Sequence, residues 1–288
     1  MRATRRNARY LPGSILPPAV HITASLAEAV EAARCVIVAT PAAALLPTVS
    51  ALPDAQVPLL WLCKGFAIDG DAVRLPHEDI APLRRGGWGL LSGPSFAQEV
   101  AADAPTALTL AAQTVAFAGK WAAVLRDDTL RIYASDDVTG VEIGGAVKNV
   151  LAIATGICDG LLLGDNARAA LITRGLAEMG RLAETMGGRR ETLMGLSGLG
   201  DLVLTCTGTL SRNRQVGLLL ASGKALPEIQ HELGHVAEGI YAARAVRLLA
   251  KHEQIEMPIS DAVYRVLYEG LAPRAAVGAL LRREPARE

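Results

Sequence analysis

The richest chemistry in this chain lies in residues 197–214, SGLGDLVLTCTGTLSRNR. A glycine-broken loop there delivers one carboxylate, Asp201. A short apolar run then leads to Ser211-Arg212-Asn213, where a new helix should begin. A helix start offers unpaired backbone N–H groups and the positive end of its dipole, so it suits an anion. Ser211 can cap that helix, Arg212 adds a fixed cation with a fork of donors, and Asn213 adds an amide. The set suits a small phosphorylated molecule. An ordinary capped surface helix is the competing reading.

Lys148 is the second candidate. It lies in an apolar helical stretch, Gly144-Gly145-Ala146-Val147-Lys148-Asn149, with two glycines one turn before it. Glycine weakens a helix by about 1 kcal/mol relative to alanine, so the pair needs a reason, such as close approach of a ligand or another backbone. A lysine in apolar surroundings near a second cation has its neutral form favoured and can act as a general base. The alternative is a lysine snorkelling out of a buried helix. Lys64 ends an apolar run and precedes Gly65, a position from which it could lean over a ligand or simply be solvated. Gly93 and Ser95 flank Pro94 and could give a close backbone approach and a hydroxyl, although a plain turn has the same composition. The five histidines offer no dependable metal-ligand spacing. His231 and His235 are four apart, but Gly234 stands between them and no third ligand is evident, so no metal is expected.

The elements that must position these groups fall into two kinds. Up to residue 135, short β-rich runs at 36–39, 59–63, 88–91, 106–110 and 130–133 alternate with helical ones. One such helix spans residues 26–33 behind an N-cap at Ser25. This pattern predicts an open α/β sheet, whose ligands bind beyond the carboxyl ends of the strands. Lys64-Gly65 and Ser92-Gly93-Pro94-Ser95 fall on that rim. From Asp136 onward the pattern is helical. Asp136 or Asp137 can cap a helix carrying Val141, Lys148 and Ala152. Asn166 opens another with Ile172, Leu176, Met179, Leu182 and Met186 at helical spacing. Further helices are predicted to start near Glu238, Pro258 and Pro273.

Composition narrows the function classes. The 288 residues balance 29 basic against 29 acidic side chains, which leaves no basic excess for nucleic acid. Aromatic residues make up only 4%, too few for base-stacking platforms. Cys35, Cys63, Cys158 and Cys206 show no C-x-x-C spacing and read as reduced thiols of a cytoplasmic protein. The longest charge-free run, residues 35–53, is broken by Pro41, Pro47 and Pro53 and is not read as a membrane span. The arginine-rich first ten residues lack the apolar core of a secretion signal.

Taken in order, these motifs resemble the bacterial-type NAD(P)-dependent glycerol-3-phosphate dehydrogenases. The matching residues are Asn7-Ala8-Arg9-Tyr10-Leu11-Pro12-Gly13, Cys63-Lys64-Gly65, Ser92-Gly93-Pro94-Ser95-Phe96-Ala97, 144–149, 166–179, 197–214 and Val236-Ala237-Glu238-Gly239. The resemblance implies reversible oxidation of sn-glycerol 3-phosphate to dihydroxyacetone phosphate with NAD or NADP, supplying glycerol phosphate for phospholipid synthesis. It implies Lys148 as general acid/base. It gives the substrate site as Lys64, Gly93, Ser95, Lys148, Asp201, Ser211, Arg212 and Asn213, and the cofactor site as Tyr10, Lys64, Ala97, Arg212, Val236 and Glu238. A homodimer is compatible with it. The implied fold class is α/β: an N-terminally truncated Rossmann-type parallel sheet over residues 1–135, then an all-helical substrate and catalytic domain over 136–288. That second domain is expected to resemble the C-terminal domain of 6-phosphogluconate dehydrogenase.

One departure stands out: no G-x-G-x-x-G occurs anywhere in the chain. In the family such a loop lets the backbone approach the pyrophosphate at a helix start. Without the strand that precedes it, residues 36–39 should present an unpaired apolar edge and residues 21–24 should have no neighbour. The expectation is that the natural protein starts upstream of Met1, and that the chain as written binds dinucleotide weakly. Two alternatives stay open: a cofactor-less remnant without activity, and a related β-hydroxyacid dehydrogenase.

Overall fold

A computed structural model describes residues 1–234 and 237–283. In chain order the elements are α1 (Leu26–Val30), β1 (Val36–Val38), α2 (Leu45–Ser50), β2 (Leu59–Trp61), β3 (Ala67–Asp69), β4 (Ala72–Arg74), α3 (Pro76–Ile80) and β5 (Trp88–Ser92). Then come α4 (Ala97–Val100), β6 (Thr106–Ala112), α5 (Val115–Leu125), β7 (Leu130–Ser135), α6 (Val138–Gly160) and α7 (Asp165–Thr185). The rest is helical: α8 (Arg190–Leu193), a π-turn at Leu196–Gly200, α9 (Asp201–Thr207), α10 (Arg212–Ala221), α11 (Leu226–Leu233), α12 (Glu238–His252), α13 (Pro258–Tyr268) and α14 (Pro273–Leu281). The chain divides into two compact units. One comprises Met1–Cys63 and Pro76–Val138, the other Lys64–Leu75 and Thr139–Glu288.

The first unit is a five-stranded sheet in the order β1-β2-β5-β6-β7. The strands β1, β2 and β5 run parallel, with Val38 opposite Trp61 and Trp61 opposite Leu90. Contrary to a wholly parallel sheet, β6 runs antiparallel to β5, Leu91 facing Leu110. The connection between them holds only the single turn α4, and the chain doubles back without a full crossover helix. Strand β7 returns to parallel pairing with β6. Leu60, Leu91, Leu108, Leu110 and Trp121 pack into the core on one side. Strand β1 lies at one end of the sheet and leaves Ile37 44% exposed. Residues 21–24 form no strand. Ser25 caps α1 as predicted, its Oγ accepting the Glu28 N–H at 3.3 Å, but the helix stops at Val30.

The second unit is not purely helical, because residues 64–75 pack with it rather than with the sheet. They carry the antiparallel hairpin β3–β4, whose two-residue Gly70-Asp71 loop places Gly70 at φ +61°. The Arg244 guanidinium on α12 donates to the Gly70 carbonyl at 3.0 Å. Helix α6 is long and apolar enough to cross a membrane by length and composition, yet its apolar window is entirely buried inside the protein. A helix that is apolar all round belongs in a core. Val141, Ile143, Val147, Val150, Leu151 and Ile153 are each at most 1% exposed. Helix α7 presents Met179 and Leu182 fully to that core, with Ile172, Leu176 and Met186 packed at its margin.

Close helix contacts depend on missing side chains. A Cβ at Gly156 of α6 would lie 2.1 Å from the Arg214 carbonyl of α10, and one at Gly217 would lie 2.2 Å from the Ile153 carbonyl. A buried carboxylate ties α7 to α13. Glu178 accepts the Ile259 N–H at 2.6 Å, the Ser260 N–H at 3.1 Å and the Ser260 hydroxyl at 3.0 Å. These are the otherwise unpaired donors of a helix start. Gly156→Ala is expected to lower stability by about 1–3 kcal/mol through overpacking, because the obstacle is backbone. Denaturant unfolding checks this, and an unchanged midpoint would show that α10 can shift at little cost.

Candidate functional site

The second unit brings Lys64, Lys148 and Asp201 together. Asp201 is the first residue of α9, where a carboxylate is favoured by the helix dipole. Its position follows from the π-turn before it, which replaces the predicted open loop. A Cβ at Gly198 would lie 2.1 Å from the Leu193 carbonyl, and one at Gly144 on α6 would lie 2.5 Å from the Ser197 carbonyl. Thus Gly144 admits another backbone, the one that carries Asp201. This answers why glycine precedes the lysine.

Asp201 is 1% exposed and uses both oxygens. The Lys64 ammonium donates to Oδ2 at 2.5 Å, and the Lys148 ammonium donates to Oδ1. Lys148 also donates to the Thr205 hydroxyl at 2.9 Å, and that hydroxyl donates to the Asp201 carbonyl at 2.6 Å. Two ammonium groups facing one carboxylate leave one excess positive charge, and one proton is therefore loosely held. Burial first and the charge of Lys64 second pull the Lys148 ammonium down to about 8, against the opposing pull of Asp201. For Asp201, burial is the largest influence and acts upward, but the two lysines outweigh it and hold the carboxyl below its ordinary value. The snorkelling reading of Lys148 fails, since its side chain is 8% exposed and points to a buried carboxylate.

The predicted helix start also forms. Ser211 caps α10, its Oγ accepting the Arg214 N–H at 3.3 Å. Arg212, the first residue of α10, is exposed and makes no ion pair among the described residues. Asn213 is buried and does structural work: its amide donates to Asn149 Oδ1 at 2.9 Å and its oxygen accepts the Gly239 N–H at 3.0 Å. Because Asn149 follows Lys148 on α6, this link connects the helix start to the lysine. Sequence reasoning missed Thr205, Asn149 and Gly239 as site residues. Thr205 is four residues after Asp201, one turn along α9, a signal hidden by reading that stretch as a loop. Gly239 is required, since a Cβ there would lie 2.5 Å from the Asn149 carbonyl.

In the first unit, Gly93 follows β5 at φ +142°, a conformation that favours glycine, and a Cβ there would lie 3.1 Å from Leu108 Cδ2 and 3.2 Å from the Ala107 carbonyl. The Ser95 hydroxyl donates to the Gly93 carbonyl at 3.1 Å. Ala97 opens α4, and Tyr10 is half exposed beside the Arg9 guanidinium. Beyond β1 and at the end of β5, Thr40 Oγ1 and Ser92 Oγ are buried without a hydrogen-bond partner among the described residues. Such groups are costly to leave unpaired, so this edge suits a polar ligand. Glu238 opens α12 in the second unit. Val236 and His235 lie outside the described residues.

Removing the shared carboxylate tests the cluster. Asp201→Asn is expected to cost about 3–5 kcal/mol in denaturant unfolding, because two buried cations lose their counter-charge. Lys64→Met should cost less, since Lys64 is more exposed and Asp201 keeps Lys148. Equal losses would argue against a shared cluster.

Two family models match in chain order. The model for the NAD-dependent glycerol-3-phosphate dehydrogenase N-terminus covers residues 1–118, and that for the C-terminus covers residues 137–278. The glycerol-3-phosphate dehydrogenase [NAD(P)+] of Thiobacillus denitrificans is 57% identical over 99% of this chain and 87% of its own length. The corresponding protein of Dechloromonas aromatica is 54% identical over 100% of this chain and 88% of its own. The crystal structure of glycerol-3-phosphate dehydrogenase from Coxiella burnetii superposes with a TM-score of 0.93 at 45% identity, covering 98% of this chain and 87% of that one. Both domain models and relatives of this identity place the chain by descent: it belongs to the NAD-dependent glycerol-3-phosphate dehydrogenases, a family of NAD(P)-dependent oxidoreductases.

Proposed function

We propose that this chain interconverts sn-glycerol 3-phosphate and dihydroxyacetone phosphate, providing glycerol phosphate for phospholipid synthesis in the cytoplasm. The observation that carries this reading is the buried Lys148–Asp201–Lys64 cluster, tied through Asn149 and Asn213 to the capped start of α10. Oxidation of a secondary alcohol needs a base at its hydroxyl. Lys148 serves as that base once neutral and as the acid in the reverse direction. Asp201 holds Lys148 in place, and Lys64 adds the charge that lowers its proton affinity. Ser211, Arg212 and Asn213 form the phosphate end, where backbone N–H groups and the Arg212 guanidinium face the anion. The family resemblance adds Gly93 and Ser95 to the proposed substrate residues.

NAD or NADP, when bound, accepts or returns the hydride. The Thr40 and Ser92 hydroxyls, without a partner among the described residues, fit a polar ligand at the sheet's carboxyl edge. Tyr10, Ala97, Lys64, Arg212 and Glu238 are the residues proposed to hold it. The free state of all four cysteines supports a reducing compartment.

The lysine's titration sets the pH dependence. A base must be deprotonated, so kcat/KM for glycerol 3-phosphate oxidation should rise as pH passes through about 8. Reduction of dihydroxyacetone phosphate should fall over the same range. Lys148→Met should lower kcat by roughly 10²–10⁴-fold in both directions. Steady-state assays against sn-glycerol 3-phosphate, glycerol and 3-hydroxy acids test the substrate. Preference for an unphosphorylated alcohol would overturn this reading.

A further inference from the structure

Helix α6 ends in a second charged cluster that the chemistry above does not use. Asp159 Oδ2 accepts from Nε and Nη2 of Arg214 at 2.9 and 2.7 Å, and Oδ1 accepts from Nη1 of Arg168 at 2.8 Å. The Asp159 side chain is 11% exposed and that of Arg214 16%. Arg214 is the third residue of α10, the residue whose N–H is capped by Ser211. Its side chain therefore grips α6 while its backbone completes the helix start. Lys148 and Asp159 are eleven residues apart, about three helical turns, so they lie on one face of α6. Between them Gly156 meets Gly217 and the Arg214 carbonyl at van der Waals limits. The first turn of α10 is thus held at two points on the Lys148 face: Asn213 on Asn149 and Arg214 on Asp159.

We infer that Asp159, acting through Arg214, is a positioning residue that sets the phosphate-binding start of α10 relative to Lys148. This rests on the substrate reading proposed above. Neither side chain touches the substrate. The pair fixes where Ser211, Arg212 and Asn213 stand, and a displacement of about 1 Å at such a site can cost 10²-fold. A fork of two guanidinium donors on one carboxylate gives direction as well as attraction, which a lysine would not supply. Arg168 holds the other oxygen and keeps the carboxylate from turning.

The test uses the full chain. Asp159→Asn and Arg214→Gln should each lower kcat/KM for sn-glycerol 3-phosphate by roughly 10–10²-fold, through a raised KM and a lowered kcat together. Calorimetric affinity for sn-glycerol 3-phosphate should fall in parallel. The double variant should be no worse than either single one, because the two residues act as a unit. Arg168→Gln should leave KM within about twofold, since the Asp159–Arg214 pair survives. If Asp159→Asn does not fold, Arg214→Gln carries the same test, because Asp159 then keeps Arg168. Folded variants with unchanged KM and affinity, or with lowered stability alone, would overturn the inference while leaving the substrate reading intact. Wild-type protein that binds no glycerol 3-phosphate would overturn both.

Discussion

Two ammonium groups turned toward one buried carboxylate make an arrangement that is stable only while the surrounding backbone holds all three in place. Asp201 cannot leave, because each lysine would then face the other across a medium that screens poorly. Nor can it satisfy both lysines fully: burial first, and the charge of Lys64 second, loosen the proton on Lys148 against the pull of Asp201. The carboxylate sits on the first turn of α9, after a π-turn packed against Leu193 and against Gly144 of α6. The close contacts at Gly198 and Gly144 are backbone on backbone, while the Thr205 hydroxyl and the buried Leu193 and Leu202 side chains complete the support.

Helix α6 is the member on which the second unit is assembled. It carries Lys148 and Asn149, admits α10 at Gly156, and holds Arg214 at Asp159. Its apolar surface supplies the burial that keeps this geometry, and Lys148, Asn149, Thr155 and Asp159 all have partners in neighbouring helices. A wholly buried helix with a lysine in its middle would be expensive without such partners. The same burial that threatens the charge gives the lysine its usable proton affinity. Stability and chemistry draw here on one set of contacts.

Much of this was legible in the residues. The caps at Ser25 and Ser211, the five strands, and the helices opening near Glu238, Pro258 and Pro273 all form where local chemistry placed them. What was not legible depended on contacts distant in sequence. The antiparallel turn of β6 follows from a connection too poor in helix to cross over. The pairing of Lys64 with Asp201 spans 137 residues, and no local pattern encodes it. The hairpin at 67–74 had a signal, Gly70-Asp71, but its packing with the helical unit could not be read from the turn. Glycine before Lys148 announced a close approach without saying that a backbone made it.

Lys148, buried and facing the charge of Lys64 across Asp201, gives up its proton within reach of neutral pH. Site-resolved nuclear magnetic resonance of the Lys148 Nζ group, followed through a pH titration of the folded chain, measures this directly. The account predicts a midpoint near about 8. A midpoint at the ordinary lysine value of about 10.4 would contradict it.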